Sequence, residues 1–337
     1  MSKRFLAAAC AAATALALSA CSSAPSSEGN ASKEGTLTVM ASFYPLQYLA
    51  EKIGGEHVTV TSLTPAGAEP HDLELSPKTV DALASADAVV YLAGFQAAVD
   101  EAIEQQAPTT VIDVSPAVEL VEANSSANHP SEDEDADEAQ SGESTTEEHA
   151  DHDHEGNDHE GHHHDMSADP HFWLDPVRMA SAATLVGDKL AEADPANADT
   201  YKANAQALNE ELSALGDDLV AKTATCQIKT FVTAHTAFGY LADRTGLTQV
   251  GISGLDPDSS PSPARLAEIS QIAKDQGVTT IFTEALIDPK VAQTLADDLG
   301  ISTAVLDPIE SQTDSSKDYA AVMKDNINAL TTANNCQ

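Results

Sequence analysis

Residues 194–222 read DPANADTYKANAQALNEELSALGDDLVAK. Tyr201, Leu208, Leu212, Leu215 and Leu219 recur mostly at three- and four-residue steps, which puts them along one face of a helix. The spacing predicts a helix over 194–222, with Asp194 as N-cap and Pro195 as its first residue. At 1.5 Å per residue it would be roughly 40 Å long, the width of a small protein. Such a helix either joins two lobes or runs through the core of one domain, and the flanking sequence bears on the choice.

Before it, strand patterns (Leu37–Ser42, His57–Leu63, Ala88–Leu92, Val111–Val114) alternate with helical ones (Pro45–Ile53, Pro77–Leu83, 96–105). After it the alternation repeats. Strands are expected at Ile228–Ala234, Thr279–Phe282 and Ser302–Leu306, and helices at Phe238–Thr245, Pro263–Gln276, Lys290–Leu299 and Lys317–Leu330. Alternation of this kind argues an α/β fold with mainly parallel sheets flanked by helices. The 337 residues suffice for two lobes, 36–193 and 223–337.

Residues 122–168 break the pattern. Hardly an apolar side chain larger than Ala occurs between Val121 and Met166, so this stretch reads as a disordered insertion in the first lobe. It holds His129, His149, His152, His154, His159, His162, His163 and His164 among many carboxylates and no Lys or Arg. Imidazole binds zinc, copper and nickel, and carboxylates add charge attraction, so the stretch reads as a metal-collecting antenna.

Lys3 and Arg4 precede the apolar run Phe5–Leu18, the pattern of a bacterial signal peptide over residues 1–20. Leu18-Ser19-Ala20-Cys21 resembles a lipobox, which implies lipidation of Cys21 and anchoring to the cell membrane. Residues 21–35 read as a flexible tether. The formal net charge of −38 repels nucleic acid and attracts cations. Export means an oxidising compartment, so the two cysteines of the body, Cys226 and Cys336, are expected to pair.

Four histidines lie outside the insertion. His57, at a strand start, reads as structural. His71, His171 and His235 each sit where an element gives way to a loop, the usual place for ligand sites in open α/β sheets. They are 100 and 64 residues apart, far from the tight spacing of structural zinc modules, so folded lobes must bring them together. That places a metal between the lobes.

The segments PHDLELSPKTVDALASADAVVYLAG (70–94), DPHFWLDPVRMA (169–180), DPANADTYKANA (194–205), FVTAHTAFGYLADRTGL (231–247), IFTEALIDPKVAQTLADDLG (281–300) and VLDPIE (305–310) resemble the substrate-binding proteins of zinc and manganese ABC transporters, the cluster A-I group. The resemblance implies two lobes joined by one rigid helix, with His71 and His171 from the first lobe and His235 from the second as ligands. It implies a carboxylate as fourth ligand, and Glu310 and Asp307 are both available, with Glu310 preferred. Glu284 is read as a supporting group. Thr236 departs from the Asp that many members carry after the histidine. Three imidazoles and a carboxylate suit Zn2+ as the transported ion, ahead of Mn2+.

The implied partners are a membrane permease and its ATPase, with the chain itself a monomer and no nucleic acid involved. Two other functions are considered. A zinc hydrolase would need an open position on the metal, which four protein ligands close. A metal-binding surface adhesin would need surface display, and only the anchor speaks for it.

Overall fold

Alternating side chains on short parallel strands build each lobe around two apolar layers. The computed structural model describes residues 36–122 and 168–337. In the first lobe β1 (Leu37–Ala41), α1 (Tyr44–Gly54), β2 (Val58–Ser62), α2 (Pro77–Leu83), β3 (Ala88–Tyr91), α3 (Ala97–Gln106), β4 (Val111–Asp113), α4 (Ser115–Val118) and α5 (Pro176–Ala193) follow in chain order. The strands lie in the order β2-β1-β3-β4, and every pair is parallel. Val39 and Ala41 of β1 and Val90 of β3 face one cluster of buried side chains, while Met40 and Val89 face another. This is the period of two that a sheet covered on both faces requires.

The chain then runs through α6 (Ala198–Thr223) into β5 (Thr230–Thr233), α7 (Gly239–Thr245), β6 (Thr248–Gly251), α8 (Pro263–Asp275), β7 (Thr280–Thr283), α9 (Lys290–Leu299), β8 (Ser302–Val305) and α10 (Tyr319–Ala333). The second sheet, β6-β5-β7-β8, repeats the order of the first and is also parallel. The strand order reverses between β1 and β3 and between β5 and β7. Open α/β sheets bind ligands outside the carboxyl ends of the strands at such a point.

The long helix begins at Ala198, not at Pro195. Asp194 ends α5, and its carboxylate accepts from Ala196 N and Asn197 Nδ2, holding residues 194–197 as a turn between two helices. Its other partner is the Tyr201 hydroxyl, 2.9 Å away. Besides the single-turn α4, two elements went unpredicted. One is α5, whose start is marked by Asp175, which accepts from Val177 N, and by Pro176 in the first turn. The other is β6, whose four residues include a buried Gln and a Gly.

Helix α6 packs on α5 and α1 in the first lobe and on α7 and α10 in the second. A Cβ on Gly187 of α5 would stand 2.4 Å from that of Ala205, so glycine permits the close approach of α5 and α6. One buried cluster runs through both lobes, from Tyr48 and Trp173 through Leu208 and Leu212 to Tyr319 and Met323. Cys226 and Cys336 form a disulfide that ties the region after α6 to the C-terminus. His57 packs its ring edge-on against Tyr201.

Among the described residues no helix is long and apolar enough to cross a membrane. The export segment, Cys21, the tether and the insertion histidines (His129, His149, His152, His154, His159, His162, His163, His164) lie outside the described residues. The residues on either side of the insertion meet: Glu122 and Ala168 form an antiparallel bridge, and Asp169 N donates to Val121 O.

Candidate metal centre

Each histidine stands on a loop that buried polar groups hold in place. His71 lies between β2 and α2. Glu69 Oε2 accepts from the backbone N–H of His71 at 2.8 Å and of Asp72 at 3.4 Å, and Gln96 Nε2 donates to Pro70 O at 3.1 Å. The ring meets Phe95 edge-on. His171 opens a single 3-10 turn, Phe172–Leu174. Asp169 Oδ1 accepts from its backbone N–H and sits 2.8 Å from its Nδ1.

His235 follows β5, and Glu284 follows β7, so the pair straddles the point where the strand order reverses. Glu284 accepts from His235 N at 3.0 Å and lies 2.6 Å from its Nδ1. Gln249 Nε2 donates to His235 O at 3.0 Å. Glu310 comes from the segment after β8. Trp173 Nε1 donates to Pro308 O, and Ile309 is held in the left-handed region at φ 57°. That conformation is costly for a β-branched residue, and here it turns the chain so that Glu310 enters the space between the lobes.

Glu310 Oε1 lies 3.4 Å from His71 Nε2, 3.2 Å from His171 Nε2 and 3.3 Å from His235 Nε2. The four atoms lie within 4.8 Å of one another. All four are buried and lack a hydrogen-bond partner. Buried polar atoms are nearly always satisfied, so four orphans facing one point mark a place for a cation. Zinc bonds of 2.0–2.1 Å at tetrahedral angles would set ligand atoms about 3.3 Å apart, which the three distances to Glu310 match.

The electrostatics agree. Burial alone would raise the Glu310 carboxyl, but three imidazoles hold it well below the usual carboxylate range. Burial likewise opposes charge on His235, yet Glu284 and then Glu310 carry it up to about 10. His171 is raised too, against burial, by Asp169 and Glu310, whereas burial lowers His71. Carboxylates behind Nδ1 of His171 and His235 leave each Nε2 free to face a metal and make it more basic.

The structure therefore brings together His71, His171, His235 and Glu310. Asp307 stands apart, its Oδ1 taken by the N–H of Ile309 at 2.8 Å. Glu284 supports His235, as its strand-end position suggested. Thr236 donates its hydroxyl to Ser253 O, so it makes no bond to the His235 ring. Sequence reasoning missed Asp169 and Glu69. Both precede a histidine by two residues across a proline, in Glu69-Pro70-His71 and Asp169-Pro170-His171, and that repeated pattern was the available signal.

The ZnuA family, described as "Zinc-uptake complex component A periplasmic", matches residues 39–333. The chain belongs to the ZnuA family. The high-affinity zinc uptake system protein ZnuA of Bacillus subtilis is 33% identical over 324 residues, covering 94% of this chain and 93% of its own length. The zinc-binding protein AdcA of Streptococcus pyogenes is 33% identical over 312 residues, 88% of this chain, which spans 56% of that longer protein. Among solved structures, a Zn(II)-bound variant of AdcAII from Streptococcus pneumoniae superimposes with a TM-score of 0.72 at 29% identity, covering 89% of this chain and 99% of its own.

Proposed function

We propose that this ZnuA-family chain captures Zn2+ outside the cytoplasm and delivers it to the permease of an ABC importer driven by its ATPase. The observation that carries this reading is the convergence of three imidazole Nε2 atoms and one carboxylate oxygen, all buried and all without hydrogen-bond partners. His71, His171, His235 and Glu310 would hold the ion as cargo. A nitrogen-rich, four-donor set favours zinc over manganese, which takes oxygen ligands more readily. A lipid on Cys21 would keep the chain beside its transporter, and residues 122–168 would gather ions for the ordered site.

The test is native mass spectrometry of the chain purified from cells, with and without residues 129–165. One zinc should survive deletion of the insertion. Manganese in its place, or loss of the tight site with the insertion, would overturn the proposal. A zinc hydrolase is the outlying reading: His159-Glu160-Gly161-His162-His163 carries the letters of H-E-x-x-H, but these residues lie outside the described structure and the four-donor site leaves no open position for water. Metal-dependent cleavage of peptides by the purified chain would establish it, and its absence is the expected outcome.

A further inference from the structure

The two carboxylate-Pro-His tripeptides are used differently. In Asp169-Pro170-His171 the short side chain bonds the N–H of its histidine and reaches the ring Nδ1 with the same oxygen. Glu69 is one methylene longer. Its Oε2 is anchored by the backbone N–H of His71 and Asp72. Its Oε1 is carried past the ring's far side to 4.0 Å from Nε2, the ligand atom of His71. That oxygen is buried and has no hydrogen-bond partner.

A buried carboxylate oxygen without a hydrogen-bond partner is unfavourable until a cation joins it. Glu69 is also the most open member of the cluster. Its side chain is 24% exposed, against 6% for His71 and 2% or less for His171, His235 and Glu310. Yet it lies outside the set of donor atoms that converge within 4.8 Å. It is thus placed one step outward from a complete four-donor shell, on its solvent side.

The geometry points to Glu69 as a transit ligand, a carboxylate that holds the ion with His71 while the ion passes between solvent and the buried site. This rests on the four-donor zinc site proposed above. A group that contacts the ion only in passage lowers one barrier, so it speeds capture and release equally and leaves the equilibrium unchanged.

The experiment is stopped-flow zinc binding and chelator-driven zinc release on the full chain. Trp173, the only tryptophan, gives the signal, since its ring lies 5.2 Å from that of His171. Glu69→Gln keeps acceptor oxygen for the loop and removes the charge. Both rates should fall about tenfold, a barrier change of about 1.4 kcal/mol, with Kd within about threefold of wild type. Glu69→Asp should restore both rates to within about threefold, and Asp72→Asn, which deletes an exposed neighbouring charge, should change neither. Unchanged rates in Glu69→Gln would leave Glu69 as a loop cap only. A fall in binding rate alone would mean long-range attraction. Either result overturns the proposal. Wild-type protein with no tight zinc would instead refute the function on which it rests.

Discussion

Zinc entering the proposed site must displace at least one proton. His235 is pushed up to about 10, since Glu284 and Glu310 together overcome the cost of burying its charge. Near pH 7 the metal-free ring is therefore an imidazolium, with Nδ1 facing Glu284 and Nε2 facing Glu310. The ion needs the Nε2 lone pair. The gap of about three pH units costs apparent binding about 4 kcal/mol at pH 7, at roughly 1.4 kcal/mol per unit. The cost shrinks as pH rises, so apparent affinity should climb about tenfold per pH unit for each proton displaced. His171 is also raised and adds to the slope where it is protonated. Calorimetry in buffers of different ionisation enthalpy should find at least one proton released per zinc near pH 7, and competition with a chelator should give the matching slope. Glu284→Gln removes the first of the two carboxylates and should flatten it. The same proton stabilises the metal-free fold. A folded pKa raised above the ordinary imidazole value contributes stability that is fully present below about 6.5 and lost as pH rises through about 10. Zinc binding near pH 7 with no proton release and no pH slope would refute the reasoning.

Glu310→Gln should weaken zinc binding on the order of a hundredfold, at or above the loss typical for groups that merely support a ligand, while Asp307→Asn, which keeps the cap on Ile309, should stay within about threefold by calorimetry. Arg244→Ala removes a guanidinium that grips both oxygens of buried Asp175 across the lobes. It should cost on the order of 2–3 kcal/mol in urea unfolding, less than a fully orphaned buried charge because Arg178 still lies 3.5 Å away. Replacing Cys226 and Cys336 by Ser opens a 110-residue loop in the unfolded chain and should lower stability by roughly 2–5 kcal/mol, seen as a lower urea midpoint with zinc stoichiometry unchanged.

How much of this was legible in the sequence follows from where each signal lives. Strand and helix patterns are local, so β1, α2 and α9 fall close to where those patterns put them. The start of α6 was misplaced because Asp-Pro is a good helix opening wherever it occurs, and only the hydrogen bonds of Asp194 to Ala196, Asn197 and Tyr201 make this one a turn. His71, His171 and His235 could be picked out because each lies in a loop that sequence order reveals, although only His235 closely follows a strand, β5. The choice between Asp307 and Glu310 could not be read in that way. Both are acidic, three residues apart, in one segment without regular structure. What separates them is the backbone between. Asp307 folds back on the N–H of Ile309, Trp173 of the other lobe holds Pro308 O, and Ile309 adopts a conformation that β-branched residues avoid. Strain of this kind costs of order 1–3 kcal/mol and persists only where the surroundings enforce it. Here the enforcing contact comes from residue 173, far along the chain. That one hydrogen bond between the lobes also selects the carboxylate that meets the three imidazoles.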